Sequence, residues 1–150
     1  MRVKAFLFAL CSILLLGACG TPKTGGTVYN IMDYGAKGDG VTDDAAAIQT
    51  AIDQCSKSGG GTVLVPAGRT FMCSPFHLAS FVELHLEPNS CLLANPDEAA
   101  YTLSAFRDNR GEGMMWIYGQ DLKEVSITGT GTIDGNGVSF MGKELEDSYE

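Results

Sequence analysis

Two hydrophobic periods divide the work along this 150-residue chain. Ile48, Ala51, Ile52 and Cys55 recur at i, i+3, i+4 and i+7, which makes one apolar face of a helix. Gln49, Asp53, Gln54 and Lys57 take its other side, and Gly59-Gly60-Gly61 supplies residues free to end it in left-handed geometry. Beyond the glycines the period drops to two. Val82, Leu84 and Leu86 alternate with Glu83, His85 and Glu87, the pattern of a half-buried strand. Short β-rich runs at 62–65, 70–73, 91–94, 116–118, 125–128 and 132–134 are separated by turn formers such as Pro66-Ala67-Gly68 and Pro88-Asn89. Residues 95–113 are polar and irregular, and they read as an excursion loop.

Strands this short and this regularly spaced suit a sandwich or a solenoid. The leading helix favours the solenoid, in which each coil buries its apolar face only against its neighbours. The expectation is an all-β solenoid that opens with a capping helix. Residues 142–150 are acidic and offer no convincing closing element, so the solenoid is expected to be incomplete at its C-terminal end and the chain to be the start of a longer protein.

Ahead of the helix stands Asp33-Tyr34-Gly35-Ala36-Lys37-Gly38-Asp39-Gly40-Val41-Thr42-Asp43-Asp44. Gly35, Gly38 and Gly40 suit a turn that needs positive φ. Thr42 is expected as the helix N-cap, with Asp43 and Asp44 in the first turn, where carboxylates complement the helix dipole. This stretch resembles the N-terminal signature of right-handed parallel β-helix proteins that act on polysaccharides. Two later blocks sharpen the likeness. Residues 82–97 (VELHLEPNSCLLANPD) and 125–137 (VSITGTGTIDGNG), with Trp116-Ile117-Tyr118-Gly119 leading in, resemble successive coils of glycoside hydrolase family 28, the polygalacturonases and their relatives.

That resemblance implies a right-handed parallel β-helix and an activity on pectic, galacturonan-type polysaccharide by inverting hydrolysis. Inversion needs a protonated carboxyl for the leaving oxygen and a carboxylate that activates water, roughly 6.5–9.5 Å apart. The family supplies these groups through Asn-x-Asp, Asp-Asp, Gly-His-Gly and Arg-x-Lys motifs and calls for no metal or other cofactor. The chain does not fill that set. Asn95-Pro96-Asp97 falls where the family has a turn, Asp43-Asp44 has a helix to start, and Asp134 sits in a glycine turn that an aspartate stabilises through its own backbone. His77 and His85 lack flanking glycines, and no Arg-x-Lys follows the leader. No residue of this chain is therefore assigned a catalytic role, and the chain alone is expected to be inactive.

Two weaker candidates remain. Arg107 and Arg110, beside Asp108 and Glu112, offer guanidinium groups suited to a uronate carboxylate, although a solvated charged loop is the commoner outcome for such a cluster. Trp116 and Tyr118 are candidates for stacking on a sugar ring, against the commoner role of core packing. The rival readings are a lyase or epimerase on the same fold, or a non-catalytic glycan-binding solenoid.

The first residues belong to targeting rather than fold. Arg2 and Lys4 precede an apolar run over 5–16, too short for a membrane span, and Leu16-Gly17-Ala18-Cys19 resembles a bacterial lipoprotein box. That resemblance implies a signal peptide over 1–18, a lipid on Cys19, a tether over 19–27 and the coils over 28–150. It places the protein on the bacterial cell envelope, facing the periplasm or the exterior. Loss of Arg2 and Lys4 takes the formal charge from −8 to −10. With no basic run, nucleic acid is not an expected partner, which leaves a polysaccharide, a membrane reached through the lipid and a monomeric chain. Cys55, Cys73 and Cys91 are expected as free thiols, since their number is odd and Cys55 falls on the apolar helical face.

Overall fold

A computed structural model describes residues 26–105 and 113–140. The chain winds through strands that pair only with the strand one turn earlier or later. The first turn runs through β1 (Val28–Asn30), a short 3₁₀ segment (Ile31–Tyr34), β2 (Asp39–Asp43) and α1 (Ala45–Lys57). The second holds β3 (Gly61–Val65), β4 (Thr70–Cys73) and β5 (Phe76–His77). The third holds β6 (Val82–Leu86), β7 (Cys91–Ala94) and β8 (Ile117–Tyr118), and β9 (Ser126–Gly129) and β10 (Thr132–Asp134) begin a fourth, before a single helical turn, α2 (Gly137–Phe140). Three sheets result, ordered β1-β3-β6-β9, β10-β7-β4-β2 and β5-β8. Every pairing between these strands is parallel. The architecture is a parallel β-helix.

Register explains why the pattern of twos persists along the chain. Val63 stacks on Leu84 and Leu84 on Ile127, all pointing inward, while Phe71, Leu92 and Ile133 make the equivalent column in the second sheet. Val63, Leu84, Phe71 and Leu92 are fully buried. Each such side chain contributes about 1.5–3 kcal/mol through the apolar surface it removes from water. The columns end abruptly: Ile127 and Ile133 are 45% and 42% exposed, because nothing among the described residues stacks on the fourth turn.

Helix α1 packs against the 3₁₀ segment, β1, β3 and β5. Ile48, Ala51, Ile52 and Cys55 are fully buried beneath it, as the periodicity expects. Its start differs from expectation. The helix begins at Ala45, Thr42 lies in β2, and Asp44 occupies the N-cap position without making a side-chain cap bond. Three other structures claim these side chains. Thr42 donates through its hydroxyl to Asp39 (2.8 Å). Asp43 accepts from the Ala45 N–H at 3.0 Å, so the capping bond comes from the residue before the cap position. Asp44, only 2% exposed, accepts from the N–H groups of Lys37 (2.6 Å) and Gly38 (3.0 Å) and so ties down the glycine turn that precedes it. Gly38 is required there: its φ is +62° and a Cβ would press on the Phe71 ring.

Candidate functional site

The turn from the second sheet to the third is where successive coils differ most. In the second coil Ser74 and Pro75 suffice to connect β4 to β5. In the third, the chain leaves after β7 and returns only at β8, and this lengthens the coil-to-coil step from 21 residues (Thr62 to Glu83) to 43 (His85 to Thr128). The described base of this excursion is a 3₁₀ segment (Glu98–Ala100) and an antiparallel bridge between Ser104 and Met114. Arg107 and Arg110, with Asp108 and Glu112, lie outside the described residues, as does Cys19.

A polar stack holds the excursion's root. Asp43 accepts from both the N–H (3.0 Å) and the hydroxyl of Ser74, and the Asn95 amide donates to that hydroxyl at 2.9 Å. Tyr101 donates to the Asn95 carbonyl (2.8 Å), and the Asn136 amide donates to the Ala94 carbonyl one coil further on (3.1 Å). Burial alone would raise the Asp43 carboxyl. The bonds from Ser74, Ala45 and Asn95 outweigh it and lower the pKa. Asn95-Pro96-Asp97 is thus corner architecture, with Asp97 accepting from the Ala99 N–H at 3.0 Å. Asp134 likewise accepts from the Asn136 N–H (2.8 Å), the turn-making role expected of it. Trp116 packs against the core and donates its indole N–H to the Cys73 carbonyl at 2.9 Å. Tyr118 is half-buried with its ring 6.0 Å from that of His77. The three described cysteines are free; burial pushes the Cys73 thiol up to about 12 and also raises Cys55 and Cys91.

Two clusters escaped the reading of the sequence. The first stands where α1 meets β5. The Gln49 amide donates to Asp53 (2.9 Å) and to the His77 carbonyl (3.2 Å), and Asp53 lies 3.8 Å from His77 Nε2. The second runs across the outer face of the first sheet. Thr62 donates to Glu83 Oε2 at 2.9 Å, Thr128 donates to Glu83 Oε1 at 2.6 Å, and His85 Nδ1 lies 2.7 Å from the Thr128 hydroxyl. The bonds from Thr128 and then Thr62 hold the Glu83 carboxyl below its ordinary range. Glu83 and His85 were visible as outward positions of an alternating strand. Their partners sit 21 residues earlier and 43 or 45 later, distances that only the coil register reveals.

Comparison with known proteins agrees with this geometry. Residues 28–137 match the family described as rhamnogalacturonase A/epimerase, pectate lyase-like. A probable polygalacturonase of Vitis vinifera is 34% identical over 120 residues, which cover 72% of this chain and 24% of that protein. Alginate lyase 7 of Azotobacter vinelandii is 65% identical over 40 residues, 27% of this chain and 5% of its own length. The solved structure of a hyperthermoactive exopolygalacturonase from Thermotoga maritima superposes with a TM-score of 0.62 at 36% identity, covering 73% of this chain and 25% of that one. The chain thus spans about a quarter or less of the length of these relatives. The match over 28–137 takes in nearly all of the coils described above, and the chain belongs to the rhamnogalacturonase A/epimerase, pectate-lyase-like family.

Proposed function

We propose that these coils open a longer polygalacturonase-like hydrolase that cleaves pectic polysaccharide with inversion, and that the carboxylates doing the chemistry belong to later coils. The observation that carries this reading is identity of 34–36% to polygalacturonases across nearly three quarters of the chain, without a catalytic set in the chain itself. Asp43, Asp44 and Asp134 already have structural work: the first two fix the corner and the glycine turn, and Asp134 its own turn. The exposed Ile127 and Ile133 support a further coil, which would bury both columns. At the opposite end α1 closes the stack, and the winding is right-handed, as crossovers between parallel strands overwhelmingly are. The leader and Cys19 support a lipid anchor on the cell envelope.

A lyase or epimerase is the second reading, favoured by the 65% identity to alginate lyase 7, although that covers only 40 residues. Reading the nucleotide sequence after the codon for Glu150 tests the proposal. Asn-x-Asp, Asp-Asp, Gly-His-Gly and Arg-x-Lys are expected in that order. A frame that continues without them, or a stop codon, overturns the hydrolase reading.

A further inference from the structure

We propose that the outer face of the sheet β1-β3-β6-β9 is a contact subsite for a neutral sugar residue, with His85 Nε2 and Glu83 accepting hydrogen bonds from its hydroxyl groups. The proposal rests on the reading that these coils meet a polysaccharide, and adds which part of one they contact. The outward residues in register are Val28, Thr62, Glu83 and Ser126 in one row and Asn30, Leu64, His85 and Thr128 in the other. Neither row contains a lysine or an arginine.

Counting protons on this face fixes its polarity. Glu83 is ionised near neutral pH and has no proton to give. At 2.6 Å its Oε1 must therefore receive the single hydroxyl proton of Thr128, since two oxygens with only lone pairs facing each other would repel. Thr128 then has only lone pairs to offer His85 Nδ1 at 2.7 Å, so the imidazole proton sits on Nδ1. In the neutral form of the ring, that leaves Nε2 as an acceptor. His85 and Glu83 are 36% and 39% exposed at their side chains, enough to meet a ligand, while the threonines hold both in place. Two acceptors, with no lysine or arginine in either row, complement the hydroxyls of a neutral sugar, whose C–H face can lie over Leu64. A uronate carboxylate would find a fixed anion and no lysine or arginine to neutralise it.

Long-range ¹H–¹⁵N NMR on the full ¹⁵N-labelled chain tests this with galactotriose and trigalacturonate, which differ in oxidation at C6. His85 is expected as the Nδ1–H tautomer. Galactotriose should shift its Nε2 signal and the Ser126 and Thr128 amides saturably, and trigalacturonate should leave them unmoved. Thr128→Val, which removes the bridging hydroxyl and keeps the side-chain shape, should yield a tautomer mixture and roughly three- to tenfold weaker galactotriose binding, the loss of about one hydrogen bond. An Nε2–H tautomer in the unmodified chain, no saturable shift with galactotriose, or an equal shift with trigalacturonate overturns the proposal. Because none of these readouts needs catalysis, the subsite can fail while the hydrolase reading stands, and the reverse.

Discussion

Replacing Asp44 with alanine removes the acceptor of two backbone N–H groups, those of Lys37 at 2.6 Å and Gly38 at 3.0 Å. A hydrogen bond to a charged group is worth about 1.5–3 kcal/mol, and a donor left without a partner costs a similar amount unless water reaches it. Asp44 is 2% exposed, but Lys37 lies at the surface, so water can recover part of one loss. The balance is a destabilisation of about 3 kcal/mol, a large share of the 5–15 kcal/mol typical of a domain. With a urea m-value of about 2 kcal/mol/M, the unfolding midpoint should fall by roughly 1.5 M, followed by far-ultraviolet circular dichroism. Asp39→Ala is the matched control. Asp39 accepts from the N–H groups of Val41 and Thr42 and from the Thr42 hydroxyl, but it is solvent-exposed, so its loss should move the midpoint far less. If the two variants shift the midpoint equally, burial is not what makes Asp44 matter and the reasoning fails.

The folded-state pKa values of Asp39 (about 2), Asp43 and Glu83 all lie below the ordinary carboxylate values. Their contribution to stability is therefore present above the unfolded carboxylate values of about 4 and is lost as the pH falls through each folded-state value, about 2 for Asp39; a urea midpoint that does not drop as the pH falls below about 4 contradicts the bonds assigned to them. Because the thiolate is the reactive form and burial raises all three thiols, Cys55 and Cys73 should resist iodoacetamide until the chain is unfolded, with half-buried Cys91 alkylated first among the three; peptide mapping before and after adding urea reads this directly. Gly129→Ala should cost about 2 kcal/mol or more, since Gly129 has φ +96° and a Cβ would collide with the Leu86 carbonyl. Gly135→Ala, with nothing near its Cβ and no positive φ, should stay within roughly 0.5 kcal/mol, and equal thermal shifts for the pair would refute the close coil approach at Gly129.

What could be read from the sequence was whatever each segment decides locally. The apolar face of α1 and the strands Thr70–Cys73, Cys91–Ala94 and Thr132–Asp134 appear where the periodicity puts them, because burial of alternate residues is written into those few positions. The helix starts later than its capping pattern predicts, for a long-range reason. A threonine followed by two aspartates is a sound capping pattern, but Ser74, 31 residues away in sequence, competes for Asp43, and the Lys37–Gly38 turn competes for Asp44. Two short strands, Phe76–His77 and Ile117–Tyr118, define the third sheet by pairing with each other, and Phe76–His77 is too brief to show a period of its own. The Thr62–Glu83–Thr128–His85 array illustrates the same limit, since no window of the sequence contains all four residues together with the register that joins them.

The most direct test of the central claim is the reaction itself. The complete product of the reading frame that encodes these coils should be incubated with polygalacturonate while ¹H NMR follows the anomeric configuration of the newly formed ends. The account predicts new reducing ends of inverted configuration and no unsaturated uronate. Unsaturated ends, or a polymer changed in its sugar configuration without being cut, would contradict hydrolysis and make these the opening coils of a lyase or an epimerase.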